Sequence, residues 1–229
     1  MISIYETKDG SKTLLNTALN ETYHSRNGAI QESLHVFLRA GLQDFLEQNP
    51  QTSRIAILEI GFGTGLNTLL SLQHHLNNPK ISVYYETIET YPLPYSQIKE
   101  LQYLEQINDE RLEAYFEKMH QIEWDKHCRL CPDFVLHKRN LSLSEFDSDQ
   151  MFHIVYFDAF APNVQPEMWT IENLRKIKNK MLPNGFFVTY CAKGQLKRDL
   201  KELGLEVEKL AGPPGKREMT RAKLLLDKA

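Results

Sequence analysis

Three groups of residues have types and spacing that can do chemistry. Glu59-Ile60-Gly61-Phe62-Gly63-Thr64-Gly65 places an acid at the end of an apolar run, followed by three residues without Cβ. Backbone can approach a ligand closely there, and the helix that follows offers unpaired N–H groups. Glu89 ends a second apolar run, 24 residues beyond Gly65, where a carboxylate can accept from both hydroxyls of a ribose. Asp158, in Tyr156-Phe157-Asp158-Ala159-Phe160-Ala161-Pro162, ends a third run and precedes a proline that stops regular structure. An acid at a strand end beside the glycine loop is well placed for chemistry. A dinucleotide fingerprint needs glycine or alanine at position 66, or at 68 if counted from Gly63, and the chain has Leu66 and Thr68. Glu59 suits the cationic amino-acid end of S-adenosylmethionine, directly or through water, whereas it would repel a pyrophosphate. The cofactor expected from these residues is therefore S-adenosylmethionine, and a nicotinamide-dependent oxidoreductase is the alternative they argue against.

These residues need strands to deliver them. Ile55 to Ile60, Ile81 to Ile88, Phe134 to His137, Phe152 to Phe157 and Gly185 to Tyr190 read as buried strands, with terminal strands at Leu205 to Leu210 and Ala222 to Leu226. Helical patterns intervene after Leu66 and at about 94–104, 109–120, 166–181 and 195–203. Alternation of this kind predicts an α/β fold with a doubly wound, mostly parallel sheet and ligands at the carboxyl ends of its strands. Before it, Ile2 to Leu19 predicts a hairpin turning at Asp9-Gly10 with a type I′ turn. Ile30, Leu34, Phe37, Leu38, Leu42, Phe45 and Leu46 predict an amphipathic helix ended by Asn49-Pro50. The expected organisation is an N-terminal extension over 1–50 packed on a single domain over 51–229, with a helical insertion at about 92–132.

The composition is that of an ordinary globular protein. No stretch reaches the roughly 18 to 20 apolar residues of a membrane helix, and Met1 to Glu6 has neither feature of a signal peptide, so a cytoplasmic location is expected. Three cysteines agree with a reducing compartment. The net charge of −3 hides an asymmetry: residues 1–174 hold 13 Lys and Arg against 24 Asp and Glu, whereas 175–229 hold 14 against 6. A basic C-terminal quarter suits either a solvated helix face or a polyanion such as RNA.

Taken together, several blocks resemble the methyltransferase domain of the MnmC family of tRNA-modifying proteins and its stand-alone MnmD-type relatives. They are Asn27 to Ser33 with Val36-Phe37, Gly61 to Asn67, Glu89 to Leu93, Asp158 to Pro162 with Pro166 to Trp169, Thr189 to Lys193, and Gly212 to Met219. The resemblance covers nearly the whole chain and implies a Rossmann-like class I methyltransferase. The implied reaction methylates the primary amine of 5-aminomethyl-(2-thio)uridine at tRNA wobble position 34. The family's larger members carry an FAD-dependent oxidase domain after this one; with the sequence ending at Ala229, the aminomethyl-uridine is expected to come from other enzymes. Motifs and resemblance together give a cofactor set of Glu59, Gly61, Phe62, Gly63, Gly65, Asn67, Glu89, Asn140, Leu141 and Asp158. Many such enzymes place an acid after the third strand to hold the adenine amine. Here Lys138-Arg139-Asn140-Leu141 stands instead, and the Asn140 carbonyl can accept from that amine.

Asp158 is the candidate catalytic residue, accepting from the substrate amine and taking its proton. Phe160, Trp169 and Tyr190 are candidate stacking platforms for the base, with Pro162 beside them, although each aromatic equally suits a core. Lys193, Lys197, Arg198, Lys216 and Arg217 are candidates for the phosphates of the anticodon stem-loop. A methyltransferase acting on a small-molecule amine would use the same fold, and the charge asymmetry is the feature that weighs against it. Cys128 and Cys131 form a C-x-x-C, but the remaining cysteine, Cys191, is far away in sequence; no metal is expected, and the pair reads as ordinary thiols in the helical insertion.

Overall fold

In the computed structural model, which describes residues 2–226, the chain opens with strands β1 (Ile2–Glu6) and β2 (Lys12–Asn16), paired antiparallel, and a short β3 (Glu21–Thr22) beside β2. The turn differs from the two-residue type I′ expectation. Pairing stops at Glu6 and Lys12, leaving a five-residue loop in which only Gly10 takes a positive φ. The Asp9 carboxylate fixes it by accepting from the Thr7 hydroxyl and from the Ser11 N–H and hydroxyl, an Asx-type device that replaces the second left-handed residue. The amphipathic run then forms α1 (Ala29–Ser33), a wider i→i+5 helix over Leu34–Gln43, and α2 (Asp44–Gln48). The wider turn rotates the buried face, so Val36 is enclosed while Leu34, expected inward, is 43% exposed. Gly41 faces the sheet, where a Cβ would sit 3.0 Å from the Tyr156 ring and 3.2 Å from Val188.

From Arg54 the strands and helices alternate. They are β4 (Arg54–Ile60), α3 (Leu66–Asn77), β5 (Ser82–Ile88), α4 (Tyr95–Lys99), α5 (Tyr103–Ile107), α6 (Glu113–Gln121), β6 (Lys126–Cys131), β7 (Phe134–Arg139), β8 (Phe152–Phe157), α7 (Ile171–Lys178), β9 (Met181–Thr189), α8 (Gly194–Glu202), β10 (Leu205–Ala211) and β11 (Glu218–Leu224). The eight-stranded sheet runs β10-β11-β9-β8-β4-β5-β7-β6. Its five central strands are parallel and both edges antiparallel. This is the expected α/β, doubly wound, mostly parallel architecture, and its order reverses between β4 and β8. The crevice at that reversal receives the ends of both strands.

Because β4 is apolar on both faces, its alternate side chains feed two cores. Ile55 and Ile57 pack with α3, α6 and the 29–48 helical run, whereas Ala56, Leu58 and Ile60 pack with α7 and α8. Residues 92–132, expected as a helical insertion, are not wholly helical: β6 forms a hairpin with β7 around Pro132-Asp133, and Cys128 and Cys131 lie on that strand. The helical pattern at 94–104 is interrupted at Gln102, whose φ of 55° stops α4 from continuing into α5. The expected helix at 166–181 becomes a 3-10 turn over Pro166–Trp169, then α7, capped by Thr170 accepting from the Asn173 N–H. β9 starts at Met181, with a register shift between Phe152 and Ile154 of its partner that explains why its first residues lack a clean pattern. Among the described residues no helix is long and apolar enough to cross a membrane.

Candidate active site

The glycine loop leaves β4 under tight steric control. Gly61 (φ 93°) donates to the Ile88 carbonyl, and a Cβ there would meet the Asp158 carbonyl oxygen at 2.9 Å. Gly65 (φ 73°) caps α3, and a Cβ would strike Met119 Cε at 2.5 Å and His120 at 2.9 Å. The loop is thereby wedged between β8 and α6. Its Phe62 ring packs edge-on against Trp124, with centroids 5.7 Å apart. Gly63 donates to Glu89 Oε2 at 3.0 Å, while Glu89 Oε1 accepts from the Tyr91 N–H at 2.9 Å, so the second strand-end acid is tied to the glycine loop.

Two carboxylates end the strands at the crevice, in different surroundings. Glu59 is fully buried; its Oε2 accepts from Thr68 at 3.3 Å and its Oε1 has no partner among the described residues. Burial pushes its carboxyl up to about 8, with the Asp158 charge adding to the rise. Asp158 lies at the cavity floor and accepts from Asn67 Nδ2 at 2.8 Å. Burial, then the charge of Glu32, raise it to about 7, against the opposing effects of the Asn67 hydrogen bond and Lys216. A carboxylate so placed exchanges a proton near neutrality, as a general base requires.

Around Asp158 lies a cavity of about 860 Å³. Gly61, Phe62, Gly63, Asn67, Glu89, Leu141, Asp158, Phe160, Tyr190 and Lys216 of the sequence-derived candidates border it. Tyr190 donates its hydroxyl to the Ala159 carbonyl at 2.8 Å, and Phe160 packs edge-on against Tyr23 with centroids 5.0 Å apart. The N-terminal segment supplies a wall that sequence reasoning left without chemistry, including Tyr23, His24, Arg26 and Glu32. Glu32 is 5% exposed; it accepts from the Ser25 N–H at 2.7 Å and pairs with Lys216. The predicted face through Ile30 and Leu34 hid it: Glu32 shares the opposite side with Ala29 and Val36, which the structure buries. His24 is held in a neutral state, burial lowering it to about 4.

The remaining candidates lie elsewhere. Glu59, Gly65, Asn140, Pro162, Trp169, Lys193, Lys197, Arg198 and Arg217 do not border the cavity. Trp169 is buried against Phe157 and donates its indole N–H to the Phe160 carbonyl at 2.8 Å, which makes it a support for Phe160 rather than an open platform. Asn140 Nδ2 donates to the Glu89 carbonyl at 2.8 Å. Lys197 is paired with Glu218 at 2.8 Å and Lys216 with Glu32, so neither is an open phosphate ligand, whereas Lys193, Arg198 and Arg217 are exposed. Among the described residues no group of three or more His, Cys, Asp or Glu is arranged to hold a metal ion.

A solved structure of MNMC2 from Aquifex aeolicus is 29% identical and superposes with a TM-score of 0.77 over 98% of this chain and 70% of its own. The tRNA 5-methylaminomethyl-2-thiouridine biosynthesis bifunctional protein MnmC of Marinomonas sp. (strain MWYL1) is 30% identical over 216 residues, 90% of this chain and 31% of that protein. Its namesake in Idiomarina loihiensis is 29% identical over 90% of this chain and 36% of its own length. The chain thus spans about a third of the curated relatives it matches. The model of an S-adenosyl-L-methionine-dependent methyltransferase family matches residues 99–225. That stretch exceeds half of the sequence and runs from α4 through Asp158 and Tyr190 to the last strand, and the chain belongs to this S-adenosyl-L-methionine-dependent methyltransferase family.

Proposed function

We propose that this chain methylates the primary amine of 5-aminomethyl-(2-thio)uridine at tRNA wobble position 34, giving the 5-methylaminomethyl form. The observation that carries this reading is Asp158: a carboxylate raised to about 7 on the floor of a cavity of about 860 Å³. The names of the two MnmC relatives supply the substrate class. When bound, S-adenosyl-L-methionine supplies an electrophilic methyl carbon on a sulfonium. The residues fit it: Gly61 and Gly63 of the glycine loop border the cavity without side chains, Glu89 stands ready for ribose hydroxyls, and Leu141 lines the wall available to the adenine.

An aminomethyl group is mainly an ammonium at neutral pH and cannot attack until it sheds a proton. Asp158 accepts that proton: an N–H bond breaks with its electron pair left on nitrogen, and an O–H bond forms on the carboxylate. Asn67 fixes the carboxylate's orientation, since its amide donates to Oδ2. The paired rings of Phe160 and Tyr23 give a splayed base an aromatic surface. In this reading residues 1–50 are the substrate-facing extension of the 51–229 domain, and exposed Lys193, Arg198 and Arg217 meet anticodon-stem phosphates.

Mass spectrometry of wobble nucleosides from a strain lacking this gene tests the proposal. Accumulated aminomethyl-uridine supports it and an unchanged profile refutes it. In the purified enzyme, Asp158→Ala should cut turnover by about 100-fold or more while S-adenosyl-L-methionine affinity changes little; unchanged turnover would sink the assignment.

A further inference from the structure

We propose that Glu32 and Lys216, which both border the cavity, form a positioning pair for Asp158 and join the two ends of the chain there. The inference rests on the amine-methylation reading for its catalytic consequence, but its geometry is independent of substrate.

Glu32 comes from α1 and Lys216 from the loop between β10 and β11, 184 residues apart. Glu32 is almost wholly enclosed, and its other oxygen is occupied by the Ser25 N–H, so it cannot swing away without losing two partners. Lys216 Nζ stands 4.0 Å over the Tyr190 ring. Tyr190 in turn holds the carbonyl of Ala159, the residue immediately after Asp158. The chain of contacts Glu32 to Lys216 to Tyr190 to Ala159 therefore fixes the backbone that carries the acid. Gly215 (φ 84°), next to Lys216, packs on the Asn27 side chain, so the loop is seated against the N-terminal segment at a second point.

The pair also acts through charge. Glu32 opposes ionisation of Asp158 and Lys216 favours it, so the pair balances two fields at one carboxylate. The other groups facing Asp158 are Asn67 on α3, which donates to it, Glu59 on β4, Tyr103 on α5 and Tyr190 after β9. Removing one member leaves the other uncompensated, so opposite single substitutions must move Asp158 in opposite directions.

The test is carbon-13 NMR of the Asp158 carboxyl, assigned by its loss in Asp158→Asn, alongside kcat/KM against pH on aminomethyl-uridine tRNA. Glu32→Gln should lower the titration midpoint and Lys216→Met raise it, each by on the order of one unit. The double variant should fall between them and Lys216→Arg should keep the native value. The acid limb of the rate profile should move with the NMR midpoint, so Lys216→Met loses several-fold activity at pH 7 and regains it at pH 8.5. Midpoints that do not move overturn the proposal. So does a loss of S-adenosyl-L-methionine affinity equal to the loss of turnover, which would indicate collapse of the site. If Glu32→Gln does not fold, Lys216→Met, at the half-exposed member, decides alone. If the native enzyme does not methylate aminomethyl-uridine, the substrate reading fails while the NMR titration still decides the pair.

Discussion

Replacing Glu59 by Gln should stabilise the folded chain, increasingly so as the pH rises from about 4.5 to about 8. Glu59 is fully buried, has one weak hydrogen bond from Thr68 and leaves Oε1 without a partner among the described residues. Burial and then the Asp158 charge hold its proton on to about 8, against 4.5 for an ordinary glutamate. Below 4.5 both folded and unfolded chains are protonated at this residue and the contribution to stability is whole. Between the two values the unfolded chain releases a proton that the folded chain keeps, so stability falls as pH rises. Above 8 the full cost of a buried charge remains. At about 1.4 kcal/mol per unit the window is worth about 5 kcal/mol, a large share of a typical domain's stability. Gln is neutral, of the same shape, and still accepts from Thr68, so it escapes this loss. Urea unfolding of native and variant protein at matched pH values from 4.5 to 8.5 measures it, other titrating groups cancelling in the difference. A difference that stays flat across the window, or a variant less stable at every pH, refutes the reasoning. Since Glu59 does not border the cavity, the variant should also bind S-adenosyl-L-methionine within about threefold of native, whereas loss of a direct charged contact costs on the order of tenfold or more.

The other predictions concern different elements. Lys138, 1% exposed between Trp124 and Phe62 with, among the described residues, only the His120 carbonyl accepting from it, is lowered by burial from 10.5 to about 8. The unfolded chain therefore holds a proton between those values that the folded chain has released, and native stability rises with pH across the window by up to about 3 kcal/mol. Lys138→Met should be the more stable at pH 7.5 and lose that advantage by pH 10.5; a constant gap in urea unfolding would contradict this. Gly65→Ala should cost about 2 to 3 kcal/mol in the same assay, combining a left-handed φ with a clash at Met119, and a cost under about 0.5 would show that α6 yields freely. Replacing Lys193, Arg198 and Arg217 by Ala should flatten the salt dependence of anticodon stem-loop binding by about 0.7 to 0.9 per lost phosphate contact. Lys197→Ala should not, because its ammonium is already held by Glu218.

How much was legible in the sequence follows from how local each signal is. The central strands β4 and β8 were readable because both faces are apolar, and the strand-end acids were readable because charge ends those apolar runs at Glu59, Glu89 and Asp158. The β6 strand was not, since Lys126-His127-Cys128-Arg129 is polar on both faces and its partner lies across a two-residue turn. The outward turn of Leu34 was equally hidden, because the i→i+5 geometry depends on how the 29–48 run meets β8 and β9 rather than on its own residues. Glu32 illustrates a third case. It fell opposite the apolar face predicted from Ile30 and Leu34, and its partner, Lys216, lies at the other end of the chain, so only folding brings them together.

That long-range pairing also changes what the basic C-terminal quarter means. Counted along the sequence, residues 175–229 carry an excess of eight positive charges, a plausible footprint for a polyanion. In the fold, Lys180 pairs with Asp147, Lys197 with Glu218, Lys216 with Glu32, and Arg221 with Asp44 and Glu208. Arg221 also donates to the Ala40 carbonyl at 2.9 Å, bolting the N-terminal helical run to β11. Part of the asymmetry is thus internal: Glu32 and Asp44, early in the chain, pair with Lys216 and Arg221, late in it, and hold the 29–48 helical run against the C-terminal hairpin. Because Arg221 and Glu32 are mostly desolvated, their pairs act chiefly by fixing geometry, and losing the partner of either would leave an uncompensated buried charge. Of these pairs only Glu32 with Lys216 borders the cavity, and under the proposed function the phosphate-facing charge falls to the exposed Lys193, Arg198 and Arg217.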